Sequence, residues 1–156
     1  MSICLLSIGR DRNDPLVLET HSYLDRVRKR FPVQVHELRE EPLRKNMRPE
    51  EVRRKEARRL LEKLPERARL VCLDGRGQMK SSEEWARDLE DVVLVRKLTL
   101  TMVVGGPVGL DPELLARADE RRSLGPLTLP HRMARLIVAE QLYRAVTILN
   151  EEPYHK

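Results

Sequence analysis

The amino-acid sequence predicts a single α/β domain with a mainly parallel β-sheet. Short apolar runs that favour β-strands alternate along the chain with segments that carry helix start signals, which is typical of parallel sheets covered by helices. The chain has 156 residues, of which 40% are hydrophobic and 35% charged. That length supports one substantial core and not two, so we predict that residues 1–156 form one domain.

Five segments are predicted to be strands: residues 3–8, 33–38, 69–74, 98–106 and 124–129. The first is almost wholly apolar, the second alternates apolar with polar side chains, and the fifth is a short extended segment with glycine and proline. Cys4 and Cys72 lie inside the first and third strands, and neither belongs to a metal-ligand pattern. We predict that both are reduced core residues.

Helices are predicted between the strands, at residues 14–31, 48–64, 81–92 and 111–122, and as a final helix from about His131 to Leu149. The Asp-Pro pairs at 14–15 and 111–112 combine a helix N-cap with proline at the first helical position. Ser81 and Glu84 have the spacing of a capping box. These signals fix where three of the helices begin.

The final helix has a broader apolar face than a surface helix needs for its own core. The face is formed by Met133, Leu136, Ile137, Leu142, Val146 and Leu149, and alanine and valine residues widen it. Glu140 lies among these apolar residues and is expected to have a polar partner, because an unpaired buried carboxylate is costly. We predict that this helix also packs against a second subunit in a homodimer.

Composition narrows the classes of function. The formal net charge is +5 and the isoelectric point is about 9.5, which favours a polyanionic partner such as RNA. Only 3% of residues are aromatic, which disfavours modules that stack single-stranded bases on aromatic platforms. No apolar run approaches the roughly 18 residues of a membrane span. The first apolar segment is better explained as a strand than as a leader peptide, and the histidines and cysteines do not have the spacing of metal ligands. We therefore expect a cytoplasmic protein without a metal.

The segment from Arg26 to Arg69 is strongly basic. One interpretation is a solvated helix face on which arginine and glutamate pair, and the other is a surface that binds phosphates. Within it, the loop at residues 39–49 is the better candidate for phosphate contact, with Arg44 and Lys45 as its central cations.

The strongest local motif is Gly105-Gly106-Pro107-Val108-Gly109, which follows an apolar strand and precedes a capped helix. Glycines in this position let backbone amides and carbonyls approach a ligand at the carboxyl end of the strand. A tight strand-to-helix turn is the alternative. The spacing matches neither the dinucleotide-binding fingerprint nor a phosphate-binding P-loop.

Two further candidate sites lie late in the sequence. His131 and Arg135 are one turn apart at the start of the final helix, where unpaired backbone amides attract anions, although a histidine at a helix start is often a cap or a surface residue. The segment Tyr154, His155 and Lys156 carries a phenol, an imidazole and an ammonium group. It is either a frayed end or part of a site.

The segments "VCLDGRG", "VVGGPVGL", "SLGPLTLPHRMARLIVAEQLYRA" and "EEPYHK" together resemble one known family. They are similar to the SPOUT-class methyltransferases that modify N3 of a pseudouridine in large-subunit ribosomal RNA. The resemblance covers the whole length in the same element order, is dense in the last half and is loose in the basic middle.

The resemblance implies a deep trefoil knot in the C-terminal part, at about residues 70–156, and S-adenosylmethionine bound among the knot loops. It also implies an obligate homodimer and a substrate site shared between the subunits. The substrate of the family is a hairpin loop of 23S rRNA in assembled ribosomes. The implied cofactor-binding residues are Leu73, Gly105, Gly106, Leu124, Gly125, Pro126, Leu127, Thr128 and Leu129.

For catalysis, we expect the segment 154–156 to fold over the cofactor pocket of the partner subunit. His155 is the first candidate for moving the proton, His131 the second, and Tyr154 completes the site. Arg135 and Lys156 are expected to hold RNA phosphates or the carbonyl oxygens of the target base, and Arg44 and Lys45 further phosphates. Val108 stands where relatives often have a polar or acidic residue, and Lys156 stands where arginine is also common.

Three alternatives remain open at this point. The chain could be a SPOUT enzyme that methylates a ribose 2′-oxygen or a guanine nitrogen. It could be a catalytically inactive ribosome-binding factor, which Val108 would fit. A nucleotide-binding Rossmann regulator is disfavoured by the position of the glycine loop.

Overall fold

The computed structural model describes all residues from 1 to 156 and contains five strands that alternate with helices. In chain order these are β1 (Ser2–Ile8), α1 (Pro15–Arg28), β2 (Val33–Leu38), α2 (Pro49–Leu61), β3 (Ala68–Met79), α3 (Ser82–Leu89), a π-helical segment (Glu90–Val95), β4 (Thr99–Val104), α4 (Pro112–Arg117), β5 (Glu120–Ser123) and α5 (His131–Leu149). The predicted α/β class is confirmed.

The five strands form one sheet in the order β2-β1-β4-β3-β5, and every pair of neighbours is parallel. Leu5 in the middle of β1, for example, lies opposite Val35 on one side and Met102 on the other. Because parallel strands end at the same edge, the loops after β1, β3, β4 and β5 meet at the carboxyl edge of the sheet, where α/β proteins bind ligands.

Helices cover both faces of the sheet and form two cores. Along β1, Ile3 and Leu5 point into the larger core, which contains residues of α1, α3 and α5, whereas Cys4 and Leu6 point into the smaller core with α2 and α4.

Cys4 and Cys72 are both buried and unbonded to each other, as predicted. Burial raises the pKa of Cys4 to about 11 and that of Cys72 to about 12, so both stay as thiols.

The predicted helix starts are confirmed by their capping contacts. The Asp14 carboxylate accepts a hydrogen bond from the Leu16 amide at 2.8 Å, and Asp111 caps α4 in the same way. At α3, the Ser81 hydroxyl accepts from the Glu84 amide while the Glu84 carboxylate accepts from the Ser81 amide. These local contacts satisfy amides that have no partner inside the helix.

The prediction for the last strand was wrong. The segment 124–129 is a loop, and the strand is Glu120–Ser123, most of which had been assigned to the helix at 111–122; α4 ends at Arg117. Gly125 has a φ of +121°, and Pro126 beside it has no amide N–H to donate to a sheet, which explains why this segment does not pair as a strand. Glu120 and Arg122 resembled an exposed helix face because they are charged, but both enter a network of ion pairs within the protein.

The final helix has the predicted bounds, but much of its apolar face is used inside the chain. Val138, Ala139, Leu142, Ala145 and Val146 are buried against the sheet, α1 and α3. In the first half of α5, Met133, Leu136 and Ile137 remain partly exposed. None of the helices combines the length and apolar character that a membrane crossing requires.

Candidate active site at the carboxyl edge of the sheet

A cavity of about 670 Å³ opens at the carboxyl edge of the sheet. It is surrounded by residues 73–75 of β3, next to a break in the pairing of that strand with β5, by the loops after β4 and β5, and by the first turn of α5. All nine residues implied as cofactor-binding line this one cavity: Leu73, Gly105, Gly106, Leu124, Gly125, Pro126, Leu127, Thr128 and Leu129. Its volume lies in the range of small-molecule sites.

The glycine loop after β4 is a tight turn held by its own backbone and by α2. The Gly109 amide donates to the Gly106 carbonyl at 3.0 Å, and Gly109 has a φ of +79°. A β-carbon at Gly106 would lie 2.7 Å from Ile8 Cγ2, so no larger residue fits there without movement. Arg53 Nη1 donates to the Val108 carbonyl at 3.1 Å, and Val108 does not line the cavity. The unusual Val108 side chain therefore lies outside the cavity wall.

The loop between β5 and α5 leaves backbone groups free for a ligand. The Ser123 hydroxyl closes the start of this loop, because it contacts both the amide and the carbonyl of Gly125 at 3.1 Å. Beyond Gly125, the backbone of residues 127–129 makes no hydrogen bond within the chain. The side chain of Leu127 is strongly exposed. This wall can therefore offer apolar contact together with unpaired donors and acceptors.

His131 lies in the cavity wall with Arg135 behind it on the same face of α5. Burial lowers the pKa of His131, as do the charges of Arg132 and Arg135, while Glu40 acts in the opposite direction. The imidazole is therefore unprotonated at neutral pH and can accept a proton. Its Nε2 atom is buried, lies 3.4 Å from Glu40 and makes no hydrogen bond.

Arg135 is almost completely buried and is fixed by two acceptors. Its Nη1 atom donates to the Gly9 carbonyl at 3.2 Å and to Glu37 at 3.0 Å, while Nη2 and Nε have no partner. The predicted pairing of an imidazole with a guanidinium at this helix start is thus present in the structure. Free guanidinium N–H groups are suited to hold an anionic oxygen.

The segment 154–156 lies away from this cavity, against the second half of α5 and the start of α3. The Tyr154 hydroxyl donates to Glu140 at 3.0 Å, which gives Glu140 the polar partner that the sequence required. His155 Nε2 lies 3.0 Å from Glu83, and His155 Nδ1 lies 3.4 Å from Arg144. None of the three tail residues lines the cavity. Because α5 has 19 residues, its two ends are about 28 Å apart.

The surroundings of the tail shift the pKa values of Tyr154 and of Glu83, the carboxylate beside His155. Burial, together with hydrogen bonds to Tyr23 and Glu140, raises the pKa of Tyr154 far above its usual range. Tyr154 is therefore a hydrogen-bond donor at neutral pH and not a base. The pKa of Glu83 is lowered to about 2, first by its own backbone amide and then by His155. Lys156 is exposed.

The basic loop before α2 begins beside the cavity. Glu40 approaches His131, and the Glu41 amide donates to the Glu56 carboxylate at 3.0 Å. Further along, Arg44 and Lys45 are exposed and pair with no carboxylate. In contrast, the arginines and lysines of α2 are partly neutralised, as by the Arg59–Glu41 pair. The loop therefore presents free positive charge, and its start at Glu40 lies beside the cavity wall.

Sequence reasoning missed two charged residues in the cavity wall, Asp74 and Arg122. Asp74 directly follows the apolar part of β3, so its place at the carboxyl edge could have been found from the strand pattern. Arg122 gave no such signal, because it belongs to a charged run that resembled a helix. No group of three or more His, Cys, Asp or Glu side chains is positioned to hold a metal ion.

Comparison with known proteins agrees with the fold and the site. A family model described as a predicted SPOUT methyltransferase matches residues 1–155. A protein of Syntrophotalea carbinolica is 43% identical over 155 residues, 99% of each chain, and one of Rubrobacter xylanophilus is 49% identical over 135 residues, 85% of each. Both are named ribosomal RNA large subunit methyltransferase H.

Among solved structures, a probable methylase family protein from Haemophilus influenzae has a similar fold, with a TM-score of 0.53. The match covers 99% of this chain and 70% of the other at 16% identity, which supports the fold alone. The sequence relatives carry the assignment further, because they are similar over nearly the full length. The chain belongs to the SPOUT methyltransferase family and, within it, to the ribosomal RNA large subunit methyltransferase H family, as its sequence motifs predicted.

Proposed function

We propose that this chain uses S-adenosylmethionine to methylate N3 of a pseudouridine in a hairpin loop of 23S rRNA within assembled ribosomes. The observation that carries the proposal is the convergence of nine residues, from β3 and from the loops after β4 and β5, on one cavity of about 670 Å³. Membership of the ribosomal RNA methyltransferase family supports the reaction class and the type of substrate.

The cavity fits the proposed cofactor by size and by chemistry. Leucines and prolines offer apolar contact for an adenine ring, and the unpaired backbone of residues 127–129 offers hydrogen bonds to its edge. Asp74 supplies a negative charge for a cationic ligand. When bound, the cofactor would supply an activated methyl group on a sulfonium centre.

The protein must remove the imide proton from N3 of the target base. His131 is the best-placed base within one chain, because it lies in the cavity wall and is unprotonated at neutral pH. General base catalysis contributes about 10²–10⁴-fold. Arg135, one turn along α5, does not line the cavity and only 1% of its side chain is exposed, so it would stabilise the negative charge on the carbonyl oxygens of the base from behind His131.

A homodimer through α5 would bring the tail of one subunit to the cavity of the other. Met133, Ile137, Glu140 and Arg144 form a stripe along α5, and Glu140 and Arg144 also bind the tail. If two copies of this stripe pack antiparallel about a two-fold axis, the tail end of one helix lies beside the His131 end of the other. In that arrangement His155 joins the partner's site, with Tyr154 as a donor and Lys156 near RNA phosphates.

The knot forms part of the same proposal. β5 pairs with β3 on the side away from β4, so the chain after β4 must cross β3 before α5 returns to pack on α1 and α3. A trefoil knot in residues 70–156 requires such a crossing. In this proposal the knotted part and the preceding residues form one domain of 156 residues. Such threading is very rare among proteins in general.

RNA binding would rely on charge and shape. Arg44 and Lys45 are exposed cations of the loop that begins beside His131, and they can contact phosphates. A target base must leave its stack to reach a cavity, which costs least in a hairpin loop. The assembled ribosome in the cytoplasm supplies such a loop on a rigid surface, which suits a protein with few aromatic side chains.

The test is methyl transfer from labelled S-adenosylmethionine to ribosomes that lack the modification, compared with isolated subunits, followed by mass spectrometry of the RNA. We expect a single methyl group on a large-subunit pseudouridine, only with assembled particles. A methyl group on a ribose oxygen or a guanine nitrogen would instead establish another SPOUT activity. Cofactor binding without transfer to any ribosomal substrate would indicate a ribosome-binding factor.

A further inference from the structure

The cavity wall contains two side chains that carry a full charge at neutral pH, Asp74 and Arg122. The remaining wall is made of glycine, proline, apolar residues, one threonine and the neutral His131. A charge in such a wall acts strongly on a ligand, because little water is present to screen it. The question is which of the two charges a ligand would experience.

Arg122 is neutralised within the protein. Its Nε atom donates to Glu120 at 2.7 Å, its Nη2 atom binds Asp88, and its guanidinium lies 4.5 Å from the ring centre of Trp85. Lys80 binds the same two carboxylates. Its Nη1 atom has no partner, but neighbouring carboxylates balance the charge and only 1% of the side chain is exposed, so a ligand can hardly reach it.

Asp74 is the opposite case. Its only polar contacts are with Arg76, through the backbone amide at 3.1 Å and two long contacts of 3.4 Å from the guanidinium. The Arg76 side chain is 80% exposed, so water screens its pairing with Asp74. Burial raises the pKa of Asp74, but the contacts with Arg76 and the charge of Arg121 outweigh it and lower the pKa, so the carboxylate is ionised. It also has unused acceptor positions.

We propose that Asp74 is a specificity-determining residue that favours the cationic cofactor over the uncharged product of its own reaction. The inference rests on the proposed function. S-adenosylmethionine carries a net positive charge at neutral pH, and loss of the methyl group converts its sulfonium to a neutral thioether, so S-adenosylhomocysteine has no net charge. A carboxylate in a poorly screened wall attracts the first ligand and not the second. Asp74 thereby assists both cofactor capture and product release.

The test is calorimetric binding of S-adenosylmethionine and S-adenosylhomocysteine to the full chain and to the Asp74→Asn variant. Asparagine has the same shape and can still accept the Arg76 amide, so the change removes charge and little else. We expect the variant to bind S-adenosylmethionine about 10-fold more weakly, equivalent to about 1.4 kcal/mol, and S-adenosylhomocysteine within twofold of the unmodified protein.

Two control variants separate charge in the wall from other causes. Glu113→Gln removes an equal charge from an exposed position on α4, outside the cavity, and should leave both affinities unchanged. Arg76→Gln removes the partner of Asp74 but leaves its carboxylate, so cofactor binding should stay equal or become tighter. Thermal unfolding of each variant checks that the fold is retained.

Distinct outcomes separate this inference from the proposed function. Equal weakening of both ligands by Asp74→Asn would overturn charge selection, because it would indicate a neutral hydrogen bond. Unchanged binding of both ligands would overturn it too, as would an Arg76→Gln variant that loses as much affinity as Asp74→Asn. If the unmodified protein bound neither ligand, the proposed function itself would fail, and this inference with it.

Discussion

The two ends of α5 differ in how much of a site they contain. At the His131 end, β3 and the loops after β4 and β5 converge on one cavity, and residues of this chain line it. At the other end, Tyr154 and His155 fold back against Glu140 and Glu83, and Glu140 is nine residues of helix, or about 14 Å, from His131. The first region is a finished ligand pocket, whereas the second is a set of reactive groups without one.

The two regions are held in place by different kinds of contact. The cavity is built by strand ends and backbone turns, which the sheet holds in place regardless of any partner. The tail is held by side-chain contacts on a partly exposed helix face, where the proposed homodimer would place the cavity of another subunit. Removing the tail should therefore slow methyl transfer and leave cofactor affinity unchanged. Changing a cavity glycine should instead weaken cofactor binding.

The largest effect is expected from deleting residues 154–156. Methyl transfer should fall by about 10²–10⁴-fold, since the proposed part of His155 in proton transfer and the phosphate contact of Lys156 would be lost together. The dissociation constant of S-adenosylmethionine should remain within twofold, because no tail residue lines the cavity. Single-turnover methylation and calorimetry on the same preparation measure the two quantities. Unchanged methylation would show that the tail only anchors the fold or the dimer.

Mixing variants tests whether the tail acts on the partner. Subunits without residues 154–156 would be combined with subunits whose cavity is disabled, after reversible dissociation. If each tail serves the other subunit, the mixed dimers regain one complete site and methylation returns. No recovery would place tail and cavity in the same chain or exclude a role for the tail.

The next largest effect is expected from Gly125→Ala. Gly125 has a φ of +121°, which side-chain-bearing residues rarely adopt, and a strained backbone costs about 1–3 kcal/mol. Relaxation of that strain should deform the loop and weaken cofactor binding by about 10-fold. Gly75→Ala is the matched control, because Gly75 also lines the cavity with free space around it but has no such φ. Equal losses in both variants would refute the explanation by backbone conformation.

The smallest effect concerns Glu56, which connects the basic loop to α2. Burial raises its pKa, assisted by Glu40 and Glu41 and opposed by the Glu41 amide and Arg59. The native state therefore holds this proton more tightly than the unfolded chain. Its stabilising contribution is complete below the ordinary pKa of 4.5 and is lost as pH rises through the raised value.

Glu56→Gln should remove that loss. Relative to the unmodified protein, we expect the melting temperature of the variant to rise with pH. At about pH 8 it should be equal or a few degrees higher, and at about pH 4 it should be lower. Thermal unfolding across this range measures the difference. Glu51→Gln, at an exposed position of the same helix, should give a curve parallel to that of the unmodified protein. A parallel curve for Glu56→Gln would contradict the prediction.

Local signals in the sequence were reliable where the structure depends on neighbours in the chain. Short-range rules explain three kinds of feature: the caps at Asp14, Ser81 and Asp111, the bounds of α5, and the alternation of strands with helices. The segment at 124–129 was assigned wrongly because its apolar residues suggested a strand, while Gly125 and the adjacent Pro126 prevent one. Its neighbour Arg122 was assigned to a helix because only long-range partners reveal that its charge is buried.

The sequence by itself therefore determined the fold class, the family and nine of the residues that line the cavity, because these depend on strand and helix patterns and on motifs that resemble one family. Only the tertiary structure decided which charges remain available. It buried Arg122 among Glu120 and Asp88, left Asp74 in the wall with a screened partner, and held Tyr154 and His155 against Glu140 and Glu83. Each of these results depends on contacts between residues remote in sequence or on solvent exposure, which no local pattern encodes.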